Sequence, residues 1–333
     1  MRIKYWYFSL IIFSLSVQSQ ILEDQRQHNL LLQGIHQTLQ QHYDSAEVTF
    51  QIFITENPKH PAGYLYLAGM LQAKFTDYGN SFDEKRYDSL LNIVEMNSAP
   101  FMKNKSTKAF GYFYLGSAEA FRSFTRSENG NIPSSIYYGV SAGRSLEKCI
   151  EADPAFTEAK NILGSFYYWR SKLAWIPFVP NRSEEGIAMI KESLNHPYQK
   201  HLASHNLMVI FIEEKRFAEA ESYGNLMLQE YPDNRLFLWN MMTVYEKWGK
   251  KKELQAIVER LLQSTLNASR TNYYTEAVCR LKLAQFALAE KNNAIARTQL
   301  TSLLTLKKYI GKTNGDLSKK ISLAQELLEK IRD

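Results

Sequence analysis

One stretch in the middle of the chain contains a two-helix pattern that other parts of the sequence follow less clearly. Between Ser141 and Arg170, apolar residues such as Ala142 and Leu146 recur at the spacing of one helix face. Pro154 ends this helix, because proline has no amide hydrogen to donate and clashes with the preceding turn. A second apolar stripe then runs through Gly164. The stretch predicts two antiparallel helices joined by a short turn.

The same hairpin recurs along the chain at a regular spacing. Each first helix has a residue, usually small, where it is expected to cross its partner. These crossing residues are Gly34, Ala68, Gly116, Gly164, Met208, Met242 and Ala284. In the second helices, an alanine precedes a proline by the same interval three times, as Ala46 and Pro58, Ala142 and Pro154, and Ala220 and Pro232. The interval from Gly34 to Ala68 equals that from Met208 to Met242, and it defines the length of the repeating unit.

This pattern resembles the tetratricopeptide repeat, a 34-residue helical hairpin with a Leu-Gly-x-x-Tyr motif in its first helix. Leu163, Gly164 and Tyr167 match that motif, whereas Lys160 replaces the tryptophan that the family has four residues before the glycine. The resemblance implies an all-α fold, a right-handed α-solenoid of about six to seven degenerate hairpins. The amphipathic tail at residues 316–331 is predicted to be a helix that caps the last repeat.

Two central hairpins are longer than the regular unit requires. The chain segments from Gly116 to Ala142 and from Gly164 to Gly186 each exceed the corresponding segment from Gly34 to Ala46. Both excesses fall between the two helices of a hairpin, so they are predicted to emerge on the same edge of the solenoid. The expected inserted loops cover residues 125–135 and 171–182.

The two inserted loops differ in character. The first is polar and has the turn signal Asn129-Gly130. The second places the apolar Trp175 and Phe178 among prolines that prevent a helix. Trp175 and Phe178 are predicted either to bind a partner or to fold back and fill a gap in the core.

The N-terminus of the chain has the composition of an export signal. Arg2 and Lys4 precede an apolar run from residue 5 to 15, followed by small polar residues. Residues 1–19 are therefore predicted to be a cleaved signal peptide, and residues 20–333 a single exported domain, periplasmic or secreted. The alternative is a retained anchor in the inner membrane. No cysteine precedes Cys149, so no lipid anchor is expected at the mature N-terminus, and no later segment is apolar enough to span a bilayer.

Charge and cysteine content restrict the classes of function. The formal net charge is +6, and the 40 basic residues are scattered rather than gathered in a stripe, so no nucleic-acid partner is expected. Cys149 and Cys279 are several repeats apart in the sequence. Because each repeat of a solenoid contacts mainly its neighbours, these cysteines are predicted to be free, buried thiols.

The sequence lacks a recognisable catalytic or metal-binding motif. His201 and His205 are four residues apart, but Leu202 stands where a zinc protease needs glutamate, and no third ligand follows at a suitable spacing. No phosphate-binding glycine loop and no nucleophile elbow is present. No metal, no cofactor and no enzymatic activity are therefore predicted.

The resemblance implies a concave groove lined by the first helices. Its groove positions correspond to Phe113, Ala120, Asn161, Tyr168, His205, Trp239 and Glu246. Arg170 is expected to face outward beside Tyr168. The predicted function is a non-enzymatic protein-binding scaffold or adaptor of the bacterial cell envelope, with a peptide or partner helix in this groove.

Two other functions stay open at this point. A carbohydrate or cell-wall binding protein would use aromatic stacking by Trp175, Trp239 or Tyr168. The repeat domain of an envelope enzyme would take its catalytic groups from the central insertions.

Overall fold

A computed structural model of the chain describes residues 22, 24–79, 83–175, 178–312 and 316–331. The expected signal peptide, residues 1–19, lies outside this part of the chain. The described residues form α-helices and two short 3₁₀ turns, Ser193–Asn195 and Thr305–Tyr309, with no β-strand. The α-helices are α1 Gln25–Leu39, α2 Tyr43–Glu56, α3 Pro61–Tyr78, α4 Glu84–Lys103, α5 Lys108–Glu128, α6 Ile132–Ala152, α7 Thr157–Ser171, α8 Ser183–Glu192, α9 Lys200–Glu213, α10 Phe217–Glu230, α11 Arg235–Trp248, α12 Lys251–Leu266, α13 Tyr273–Ala289, α14 Asn293–Leu304 and α15 Leu317–Lys330.

Consecutive helices pair into seven hairpins, α1 with α2 through α13 with α14. All seven predicted crossing residues lie on the first helices of these pairs. A Cβ atom added at Gly116 would lie 2.7 Å from Leu146, and one at Gly164 would lie 2.5 Å from the carbonyl oxygen of Gly186. The glycines occupy these crossings because the two helices leave no room for a side chain. The prediction of an all-α array of TPR-like hairpins is confirmed.

Helix α15 covers the open end of the array. Its residues Leu317, Ile321 and Ala324 are buried and form one apolar cluster with α13 and α14. The predicted capping helix is thus confirmed.

Asparagine side chains fix the start of several helices. Asn131, Asn234, Asn272 and Asn292 each accept a hydrogen bond from the backbone N–H three residues later. These bonds satisfy a donor that the first helical turn otherwise leaves without a partner. Two of the four caps have a second role, described below.

The predicted loop at residues 125–135 is wrong. Helix α5 continues to Glu128 and α6 begins at Ile132, so only the turn between them is non-helical. Pro133 stands in the first turn of α6, where a missing N–H costs nothing. The insertion lengthens both helices instead of forming a loop, and Arg126 anchors the extended α5 to Asp88 of α4. In the second insertion, no helix covers the described residues between Ser171 and Ser183.

The array has two large apolar cores that meet at α7. One contains buried residues of α1 to α7, and the other runs from Tyr168 near the end of α7 to α13. Cys149 lies in the first core and Cys279 in the second, both buried and unpaired. Free, buried thiols were predicted, and the structure confirms them.

Candidate binding surfaces

The inner face of the solenoid is closed by its own N-terminal helices. His28 of α1 lies 2.5 Å from the hydroxyl of Tyr198, in the turn before α9. His36 of the same helix lies 3.1 Å from the hydroxyl of Tyr231, in the turn before α11. Both contacts join residues that are far apart in the sequence, so the array turns back on itself and α1 reaches the later hairpins.

Three of the predicted groove residues are buried against neighbouring hairpins. Phe113 is 2% exposed, and Tyr168 is part of the second core. Asn161 is buried and donates a hydrogen bond of 2.9 Å to Gln199. Ala120 is half-buried. A partner cannot reach Phe113, Asn161 or Tyr168 in this conformation, which corrects their assignment as groove-lining residues.

The remaining groove positions are accessible only in part. His205 is half-buried and its ring lies 2.9 Å from the amide of Asn240. Trp239 is also half-buried. Glu246 is exposed and forms an ion pair with Lys282 on the next first helix. Of these side chains on α9 and α11, His205 and Glu246 therefore already contact neighbouring polar residues.

The closed interior contains a buried carboxyl group that the sequence did not single out. Glu158, in the first turn of α7, is 3% exposed and accepts a hydrogen bond of 3.3 Å from Tyr66 of α3. Burial raises the pKa of Glu158 to about 8, although hydrogen bonds from Tyr66 and Gln199 oppose this effect. Glu158 thus holds its proton at neutral pH and connects α7 to α3 through Tyr66. A glutamate in a first helical turn usually faces water, so no sequence pattern indicates its burial.

Two aromatic residues of the second insertion are the most exposed large apolar side chains that the structure describes. Trp175 is 79% exposed and Phe178 is fully exposed at 102%. Phe178 also has a φ of 69°, in the left-handed region that costs a residue with a side chain about 1 to 2 kcal/mol. Trp169 and Leu173 beside them are exposed as well. The expectation that Trp175 folds back into the core is wrong.

Helix α6 adds an apolar stripe at the same end of the hairpins. Ile132, Ile136 and Val140 are spaced four residues apart on this helix and are all exposed. Further along, Gly143 faces the ring of Phe166 on α7, which runs antiparallel to α6. Because α7 ends five residues after Phe166, the first turns of α6 project beyond it. This stripe was not predicted, because its first turn fell within the predicted loop at residues 125–135, although the regular spacing of its three residues is present in the sequence.

We call these exposed residues the apolar rim. It consists of Ile132, Ile136, Val140, Trp169, Leu173, Trp175 and Phe178. Two cations border it, since Arg170 is exposed with its guanidinium 5.9 Å from the ring of Phe166, and the Lys172 ammonium lies 4.7 Å from the ring of Tyr168. The hydroxyl of Tyr168 raises the pKa of the nearby Lys172 ammonium, and so do the carboxylates of Glu214 and Glu213, so the charge of Lys172 is partly compensated and Arg170 is the main cation at this edge of the rim.

The histidine pair lies among half-buried side chains of α9. The pKa values of His201 and His205 are both lowered to about 4 by burial, so both rings are neutral at physiological pH. Within the described ranges, no three histidine, cysteine, aspartate or glutamate side chains are grouped as metal ligands. None of the described helices has the length and hydropathy needed to cross a bilayer.

Comparison with known proteins finds similarity only at the level of solved structures. No family model matches the chain, and no curated protein matches it. PilW, a widely conserved type IV pilus biogenesis factor, is 14% identical, with 91% of this chain and 99% of PilW covered and a TM-score of 0.42. PilF of Pseudomonas aeruginosa is 12% identical over 91% of this chain and 98% of PilF, with a TM-score of 0.41. A tetratricopeptide repeat protein from Parabacteroides merdae is 14% identical over 93% and 100% of the two chains, with a TM-score of 0.38.

The hairpin geometry itself supports the family resemblance. Seven helix pairs, with their crossing residues at the predicted positions, follow the tetratricopeptide pattern. The chain is TPR-like in fold.

Proposed function

We propose that this protein is a non-enzymatic protein-binding scaffold of the bacterial cell envelope, and that its partner docks on the apolar rim. The observation that carries this proposal is the exposure of Trp175 and Phe178 on a backbone that places Phe178 in a strained conformation. Strained residues with exposed apolar side chains are typical of binding sites rather than of solvated loops.

The chemistry of the rim favours a protein partner with an apolar pocket and an acidic border. Tryptophan and phenylalanine are large rigid anchors, and tryptophan is enriched among residues that dominate interface energies. Arg170 lies exposed at the edge of the rim, where it attracts carboxylates of a partner and increases its association rate. The inner groove is a poorer candidate, because Phe113, Asn161 and Tyr168 are buried.

The alternatives have less support. Carbohydrate binding by stacking needs exposed aromatic rings. Of the three rings expected to stack, Trp175 is exposed, but Tyr168 is buried and Trp239 is half-buried, so no exposed pair is formed by these three. For an enzyme, the central insertions would have to supply a nucleophile with a base, and α6 instead presents an apolar stripe there.

The envelope location rests on the leader sequence. Intact-mass measurement of the exported protein tests it, and a mature chain that begins near residue 20 is the expected result. A chain that still begins at Met1 would replace this proposal with that of a membrane-anchored protein.

The docking site is tested with the double variant Trp175→Ala/Phe178→Ala. Partners captured from envelope extract by the wild-type protein are identified by mass spectrometry, and the binding of one purified partner is then measured by calorimetry. We expect the double variant to lose about 2 kcal/mol or more of binding free energy, with an unchanged melting temperature because both side chains are exposed.

The matched control is Val48→Ala/Met96→Ala, which removes two exposed apolar side chains on α2 and α4, away from the rim. It should bind like the wild type. If the rim variant binds the purified partner with unchanged affinity, or if it melts well below the wild type, the rim is not the docking site.

A further inference from the structure

The closure of the inner face follows a repeated register. Asn234 donates a hydrogen bond of 2.8 Å to the carbonyl oxygen of Leu39, and Asn272 donates one of 2.9 Å to the carbonyl oxygen of Asp77. Both pairs have a sequence separation of 195, and so does the contact between His36 and Tyr231. A constant separation means that α1 lies on α11 as α3 lies on α13, so five hairpins complete one turn of the superhelix.

Each asparagine joins two helices at once. Asn234 and Asn272 are the N-caps of α11 and α13, where their side-chain oxygens accept from backbone N–H groups. Their side-chain nitrogens donate to carbonyls at the C-terminal ends of α1 and α3, which lack partners within their own helices. The negative end of one helix dipole thereby meets the positive end of another, an attractive arrangement. We call these two contacts the Asn joints.

A buried ion pair reinforces the second joint. Arg235 of α11 forms an ion pair with Asp77, and their side chains are 11% and 4% exposed. The hydroxyl of Tyr43 donates a hydrogen bond of 3.0 Å to the same carboxylate, and the hydroxyl of Tyr78 lies 2.8 Å from that of Ser269. The contacts between the turns of the superhelix are therefore hydrogen bonds and an ion pair, together with ring contacts of His28 and Tyr66 to Tyr198 and of His36 to Tyr231.

This polar character sets the closure apart from the hairpins. Within each hairpin and between successive hairpins, helices pack closely through apolar side chains, whereas α1 and α3 reach the later turns mainly through long polar side chains. Among the described residues, only two apolar side chains pack across the closure: Leu39 of α1 packs against the second core, and Tyr198, in the turn before α9, belongs to the first. A solenoid does not need such contacts for its stability, since each repeat is held by its neighbours.

We infer that the Asn joints and the Asp77–Arg235 pair form a latch that closes the solenoid and can open without unfolding its hairpins. In the closed state, α1 and α3 cover the turns before α9, α11 and α13. The first two of these turns carry the buried Tyr198 and Tyr231, respectively. Opening bends the array between its two cores, at α7 and α8, and makes the inner face accessible. This device is separate from the apolar rim, and its test does not need the rim's partner.

The test replaces both asparagines by aspartate, Asn234→Asp/Asn272→Asp. Aspartate keeps the oxygen that caps the helix, but it has no N–H to donate and places a negative charge opposite a carbonyl oxygen. The change therefore breaks the latch and preserves the helix starts. The matched control is Asn131→Asp/Asn292→Asp, the same change at two N-caps whose side chains bind no other turn of the superhelix among the described residues.

Hydrogen exchange, small-angle scattering and far-UV circular dichroism are measured on all three full-length proteins. In the latch variant we expect unchanged helicity, a larger radius of gyration, and exchange at the C-terminal ends of α1 and α3 that is about tenfold faster or more. The control should match the wild type in all three measurements.

Two results would overturn the inference. One is a folded latch variant whose scattering and exchange at α1 and α3 equal those of the wild type. The other is a loss of helicity throughout the chain, which would show that the joints belong to the global fold. Native-state exchange of the wild type in low denaturant gives an independent reading, because α1 and α3 must then open before α5 and α6.

Discussion

Replacing Glu158 by glutamine should stabilise the protein, and more so at higher pH. The ordinary pKa of a glutamate is 4.5, and burial raises that of Glu158 to about 8 in the folded protein. Between these two values the folded state holds a proton that the unfolded state has released. The contribution of Glu158 to the free energy of unfolding is therefore most favourable below pH 4.5, falls as the pH rises, and is least favourable above about pH 8.

The size of the effect follows from the pH. The free-energy cost of keeping Glu158 protonated in the folded protein grows by about 1.4 kcal/mol for each pH unit above 4.5, until Glu158 itself ionises. It amounts to about 1 kcal/mol at pH 5, about 3 kcal/mol at pH 7 and about 5 kcal/mol at pH 9. Glutamine is neutral at every pH and keeps an oxygen that accepts from Tyr66, so Glu158→Gln should recover an amount of this order.

Urea unfolding at pH 5, 7 and 9 measures the difference between the two proteins. The control is Glu184→Gln, an exposed glutamate on α8, whose replacement should change stability little at any pH. A difference between wild type and Glu158→Gln that stays constant from pH 5 to pH 9 would refute the reasoning, since it would mean that Glu158 does not keep its proton when the protein folds.

Two further predictions concern packing and acid stability. Gly164→Leu should lower the free energy of unfolding by about 1 to 3 kcal/mol, because even a Cβ atom there would lie 2.5 Å from Gly186. Gly69→Ala, whose Cβ would make an ordinary contact of 3.5 Å, is the control in thermal melts. If Gly164→Leu melts at the same temperature as the wild type, Gly164 is not at a tight helix crossing. Burial lowers the pKa values of His60 and His196 to about 4, so these rings stay neutral when the unfolded chain binds protons, and stability should fall as the pH drops from about 6.5 to 4. His60→Gln should reduce this fall in the free energy of unfolding, measured by urea titration at several pH values. A fall as large as that of the wild type would show that His60 does not stay neutral in the folded protein.

The hairpins were predictable because their determinants are close together in the sequence. Gly164 and Gly186, or Gly116 and Leu146, lie within about one repeat of each other, and the pattern of small and apolar residues directly reports which helix faces meet. The same reasoning located the capping helix. It failed at residues 125–135, where Asn129, Gly130 and Pro133 indicated a loop, because proline in a first helical turn allows a helix to begin.

The candidate sites depended on contacts that no local pattern contains. The sequence correctly marked Trp175 and Phe178 as unusual, but only the structure exposes them and places the stripe of α6 at the same end. The groove assignments of Phe113 and Asn161 failed because neighbouring hairpins cover them, Phe113 through Phe156 and Asn161 through its hydrogen bond to Gln199.

The local pattern of helices and crossings was thus determined by the sequence alone, since each hairpin is specified by residues that are near neighbours along the chain. Closure was decided by tertiary structure, through bonds such as that of Asn272 to the carbonyl of Asp77, which belongs to a hairpin one superhelical turn earlier. An asparagine at a helix start looks the same in the sequence whether its amide faces water or a distant helix. The curvature of the whole array, which sums small rotations over five hairpins, determines which of these occurs.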